Sequence, residues 1–117
     1  MKKLTSEELN QSAMQIIMLA GDGRSMLTEA VKASLAETSR EEVDEKMKLA
    51  KEKIVEAHRI QTQMIQNTIE DEELQTTLLF SHAQDTLMTI YSELNMTGYI
   101  IDMYRNLSDK INKLNEG

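Results

Sequence analysis

The chain has no cysteine, no proline and no tryptophan, and only four glycines, three tyrosines and one phenylalanine among its 117 residues. Without cysteine, disulfide frameworks and thiolate metal sites are excluded. Without proline, and with so few glycines and aromatics, the turn-rich and aromatic-rich vocabulary of β proteins is missing. The net charge is −7 and no basic cluster stands out, which argues against nucleic acid as a partner. The opening "MKKLTSEELNQSA" carries lysines but no apolar run behind them, so it does not read as a secretory signal. The most apolar region is interrupted by Gln, Thr, Ser, Asn, His and Asp, each costly in lipid, so no membrane span is expected. What remains is a soluble, cytoplasmic protein.

Ala, Leu, Met, Glu, Lys and Gln dominate the chain, and all are strong helix formers. The length suits a single domain over residues 1–117, and the class is all-α. Thr5 with Glu8 and Ser39 with Glu42 have the spacing of capping boxes, which start two helices. Leu9, Ala13, Ile16, Ile17, Ala20, Leu27 and Val31 follow the first at helical spacing. "AGDGRS", residues 20–25, interrupts that pattern with either a kink or a close-packing point. Within it, Arg24 can pair with Asp22 or approach a phosphate, the surface pair being the ordinary outcome. Val43, Met47, Ala50, Ile54, Ala57, Met64 and Ile65 form one face of the second helix, opposite a solvated face of Glu and Lys. The acidic run "EDEE", residues 70–73, marks a loop. The methionines read as gap-fillers of a helical core.

The third helical segment is unusual. Between Leu74 and Ile101 its only charged residues are Asp85 and Glu93, and all the aromatics of the chain lie on it or just beyond. Its apolar residues sort into two stripes. One is Leu79, Ala83, Leu87, Ile90, Leu94, Ile101 and Tyr104. The other is Leu78, Ser81, Asp85, Met88, Ser92, Met96, Tyr99 and Met103, in the three- and four-residue steps of a coiled-coil seam. Two other helices of an antiparallel three-helix bundle can cover only the first stripe. The second is then expected to face copies of the same helix around a symmetry axis.

That stripe brings identical Asp85 carboxylates together, and like charges at short range need protons or a cation. On a three-fold axis they would suit a hard divalent cation such as Mg²⁺ or Ca²⁺; a protonated or water-bridged cluster is the other solution. His82 precedes Asp85 by three residues, about 60° around the helix, at the rim of the seam where a partner could reach it. A lone histidine is commonly a hydrogen-bonded structural residue, and His58 is expected to make a packing or polar contact on the second helix. If His82 does chemistry, no serine nucleophile or histidine cluster accompanies it, and the imidazole itself would carry a group covalently.

"AGDGRS", "EAHRIQTQM" and above all "HAQDTLM" together resemble the IIA component of lactose/cellobiose/chitobiose-type sugar phosphotransferase systems. The resemblance runs from about Leu9 to Leu107, with the segments in the same order and spacing. It implies a three-helix subunit assembled through its third helix into a homotrimer. It implies that His82 accepts phosphate from the phosphocarrier HPr and passes it to the cognate IIB component for uptake of a β-linked disaccharide such as cellobiose, lactose or chitobiose; the sequence does not fix which imidazole nitrogen reacts, Nε2 being the expected one. It also implies that Asp85 gathers at the trimer axis around a metal ion, with Mg²⁺ the expected one. The family commonly has a second histidine where this chain has Thr86, which can hydrogen-bond but cannot carry positive charge. That departure leaves a second reading, a non-catalytic helical adaptor or regulatory bundle in which His82 is structural.

Overall fold

A computed structural model describes residues 4–71 and 75–116. They form three helices: α1 (Ser6–Leu35), α2 (Arg40–Glu70) and α3 (Leu78–Glu116). Among the described residues there is no strand, and no helix is long and apolar enough to cross a membrane. The all-α expectation holds.

Both N-caps are present, but among the described residues neither glutamate side chain bonds back to the N-cap amide, so the reciprocal half of a capping box is not formed at either. Thr5 Oγ1 accepts from the Glu8 amide at 3.1 Å and donates to Glu8 Oε1, and Ser39 Oγ accepts from the Glu42 amide at 3.2 Å. Each bond satisfies an amide that the first helical turn would otherwise leave without a partner. α1 ends in a Schellman motif, with Thr38 N donating to Ala33 O and Glu37 N to Ser34 O. The motif puts Glu37 in the left-handed region at φ 59°, a place usually taken by glycine. α1 and α2 therefore reverse direction within four residues, 36–39.

The "AGDGRS" stretch does not break α1, which runs through it. Gly23 is a close-packing point: a Cβ there would lie 2.6 Å from Ile54 Cγ1 and 3.2 Å from the Ala50 carbonyl of α2. Gly21 has open space around it. Leu9, Ala13, Ile16, Ala20 and Leu27 of α1 pack with Ala50, Ile54, Ala57 and Ile60 of α2 and with Phe80, Ala83, Leu87, Ile90 and Leu94 of α3. A smaller cluster of Ala30, Val43 and Ile101 closes the far end. Gln61 is the one buried polar side chain among the described residues, and its Oε1 has no partner.

Two expectations need correction. None of the methionines described fills the core. Met14, Met18, Met88, Met96 and Met103 are exposed, and Met26, Met47 and Met64 lie half-buried at its edge. Methionine has the same helical periodicity whether it faces inward or outward, so spacing could not separate the two. The third helix begins at Leu78, four residues later than Leu74. The acidic run begins on the last residue of α2, Glu70, and its Asp71 is the C-cap; residues 72–74 lie outside the described residues.

Candidate functional site

α3 starts where Thr77 caps it: the Thr77 carbonyl accepts from Ser81 N at 3.1 Å, and Thr77 Oγ1 accepts from Phe80 N at 3.1 Å. Phe80 and Ala83 then turn inward and are buried. His82, between them in sequence, points the other way and is exposed. A capped first turn anchored on both sides holds this imidazole on a rigid element while leaving its ring in water. No hydrogen bond or ion pair to another described residue engages it.

Asp85, one turn on, is exposed as well. Its backbone carbonyl accepts a bond from Thr89 Oγ1 at 2.9 Å, while its carboxylate takes no partner among the described residues. His82 and Asp85 therefore share the outer side of α3 without touching. The inner stripe of the sequence reading is the buried one: Ala83, Leu87, Ile90, Leu94 and Ile101 are all in the core. The outer stripe is uncovered along its length, with Leu78, Met88, Met96, Tyr99 and Met103 exposed.

Among the described residues no three His, Cys, Asp or Glu side chains converge within one chain. Asp85 supplies a single carboxylate per chain, so a cation held by it needs oxygens from other copies. Thr86 lies half-buried one turn beyond His82.

The remaining candidates fall elsewhere. Arg24 does pair on the surface, but its partner is Glu93 of α3 rather than Asp22. The pair is bidentate, with Arg24 Nε to Glu93 Oε1 at 2.7 Å and Nη2 to Oε2 at 3.0 Å. A partner 69 residues away could not be read from local spacing. His58 is exposed on α2 with its ring 5.8 Å from that of Tyr91, tilted at 54°, a packing contact as expected. Arg105 of α3 pairs with Asp44 of α2 at 2.9 Å, and Arg40 pairs with Asp109, tying the start of α2 to the far end of α3. Glu56 is held below the usual glutamate range by the hydrogen bond from Arg59 on the exposed side of α2, away from the site.

Residues 11–105 match the family described as PTS system, lactose/cellobiose specific IIA subunit. The chain is 37% identical over 105 residues to the lichenan-specific phosphotransferase enzyme IIA component of Bacillus subtilis, covering 90% of this chain and 94% of that protein. It is 31% identical to the lactose-specific EIIA component of Lacticaseibacillus casei, covering 93% and 96% of the two chains. The crystal structure of the cellobiose-specific enzyme IIA from Bacillus anthracis superposes with a TM-score of 0.79 at 36% identity, covering 92% of this chain and 95% of that one.

Proposed function

The chain belongs to the lactose/cellobiose-specific IIA subunits, the phosphoryl-carrying components of sugar phosphotransferase systems, and on that premise we propose that His82 is the residue that carries the phosphoryl group. One observation carries the assignment: His82 is exposed and unpaired at the capped start of α3. No hydrogen bond or ion pair among the described residues ties His82 into the fold, so the adaptor reading gains no support from its surroundings.

The donor is phospho-HPr. The lone pair of His82 Nε2 attacks phosphorus in line, and the N–P bond forms as the bond from phosphorus to the donor breaks. The second step is the same displacement in reverse, with the IIB component as acceptor. Little else is asked of the chain: α3 fixes the direction of the imidazole and keeps it open to two partners in turn. Thr86 adds no positive charge beside the phosphoryl group, so stabilisation of that charge falls to groups brought by the donor and acceptor proteins. The relatives' names, lichenan-, lactose- and cellobiose-specific, support a β-linked sugar such as cellobiose or lactose as the one transported, chitobiose being the third of the resembling systems, and the protein is read as working in the cytoplasm.

The uncovered outer stripe of α3 favours a homotrimer with Asp85 on its axis. Three carboxylates there are a hard-oxygen donor set that fits a divalent cation, Mg²⁺ foremost, whose charge offsets their mutual repulsion. The residues 1–117 are read as one domain of such an assembly.

The test is phosphorylation by phosphoenolpyruvate, enzyme I and HPr. The wild-type chain should gain one acid-labile phosphoryl group and His82→Ala none; a gain that survives in His82→Ala sinks the assignment. Native mass spectrometry of Asp85→Leu should show loss of a bound divalent ion with the trimer retained, because apolar contacts replace a charge cluster.

A further inference from the structure

The end of the bundle remote from His82 carries a polar cleft that phosphoryl transfer does not use. It measures about 250 Å³ and is walled by the end of α1, the α1–α2 turn, the start of α2 and the later turns of α3. Tyr104, in its wall, stands roughly 33 Å beyond His82 along the α3 axis. The cleft lies where α3 meets the other two helices of its own chain, off the outer row through Asp85.

Two ion pairs between helices hold the walls. Arg40 of α2 pairs with Asp109 of α3. Arg105 of α3 pairs with Asp44 of α2 at 2.9 Å and donates from Nη2 to the Arg40 carbonyl at 3.3 Å. Each guanidinium is thereby fixed and its charge balanced, yet each keeps N–H donors that no described residue takes. The hydroxyls of Ser34, Tyr104 and Ser108 and the amide of Asn112 also line the cleft, and none has a hydrogen bond to another described residue. These groups are held in place before any ligand arrives, which lowers the entropic cost of binding.

Glu37 completes the lining. Its φ of 59° puts it in the left-handed region, where glycine is the unstrained choice. The chain therefore holds a carboxylate at this place against a steric cost, and that carboxylate has no partner among the described residues.

The charges decide what class of ligand fits. Arg40 and Arg105 are each balanced by an aspartate and Glu37 adds a negative charge, so an anion gains no net attraction. A divalent cation would find one free carboxylate where it needs several oxygens. What the cleft does offer is a dense set of uncharged or charge-balanced donors and one strong acceptor, the pattern that neighbouring hydroxyl groups satisfy. Its volume falls below the about 300–1,000 Å³ that drug-sized ligands fill and suits a single ring.

We propose that this cleft binds an uncharged polyhydroxylated molecule of monosaccharide size. Its hydroxyls are held by Glu37, Arg105, Ser108 and Asn112, and the C–H face of its ring lies against Tyr104. The site is independent of the role of His82. A ligand there bridges all three helices and stabilises the folded chain by mass action.

The test is a ¹H–¹⁵N NMR titration of the full-length chain with D-glucose, with D-galactose and, separately, with inorganic phosphate. At least one sugar should shift the amides of residues 34–40 and 104–112 saturably and raise the Tm. Ser108→Leu, which fills the cleft, should raise the dissociation constant at least about 10-fold with the far-ultraviolet circular dichroism unchanged. Glu37→Gly should raise the Tm of the free chain by relieving the positive φ, and weaken sugar binding at the same time. No saturable shift with either sugar overturns the site, as does binding that both variants leave intact. Phosphate shifting the same amides where the sugars do not overturns the uncharged ligand.

Discussion

Two faces of α3 carry apolar residues at helical spacing, and they meet different fates. Ala83, Leu87, Ile90, Leu94 and Ile101 are buried against α1 and α2, while Leu78, Met88, Met96, Tyr99 and Met103 stand in solvent. The residue classes are similar; the geometry around them is not. Two neighbouring helices cover one side of a third, and the other side has no element of the same chain to meet. Apolar area left in water forfeits about 25 cal/mol for each Å² that a partner could cover. Periodicity therefore reports that a face wants burial, and only the count of available helices says whether the chain can provide it.

The sharpest way to break this contrast is to truncate neighbouring residues on opposite faces. Leu87→Ala should cost about 2–5 kcal/mol of unfolding free energy in urea, because it opens a cavity in the core. Met88→Ala should leave the fold of the isolated chain nearly unchanged and act on assembly instead. Equal losses at the two positions would mean that the outer face contributes to the subunit's own fold.

The same contrast exists on α1 between glycines two residues apart. Gly23→Ala forces a methyl group against Ile54 and the Ala50 carbonyl and should cost about 1–3 kcal/mol. Gly21→Ala meets nothing within 4 Å and should stabilise by up to about 1 kcal/mol through helix propensity, read as a higher Tm. The smallest effect is expected at the edge between the faces of α3, where Arg24→Ala breaks the half-exposed pair with Glu93. A double-mutant cycle with Glu93→Ala should return about 0.5 kcal/mol, shrinking with added salt.

Much of this was legible from residue spacing. The N-caps at Thr5 and Ser39, the inward stripe of α3 and the outward row through Asp85 are local patterns, and local patterns survive folding. The start of α3 was less legible, because Thr77 is followed three residues later by Phe80 rather than by Glu or Gln, so the reciprocal half of a capping box is missing. Gly23 stood between kink and close approach until Ile54, from another helix, decided it. The partners of Arg24 and Arg105 are set by how α1, α2 and α3 align, which no short window contains. At the candidate site, residue type and angle singled out His82 and Asp85 and put both on the side of the helix its own chain cannot cover; their lack of partners came only with the folded chain.

α3 runs for 39 residues as one uninterrupted helix, and the separate duties of its residues are kept only by counting. Deleting a single residue between Asp85 and Leu94 would rotate everything downstream by about 100° relative to His82. Leu94 and Ile101 would leave the core, and Met103 would swing off the row that holds Asp85. Substitutions on the outer surface of this helix are individually mild, whereas a change of length is felt by every residue after it. Among spontaneous variants of the gene, α3 should accept many point changes and almost no in-frame deletions of one or two codons.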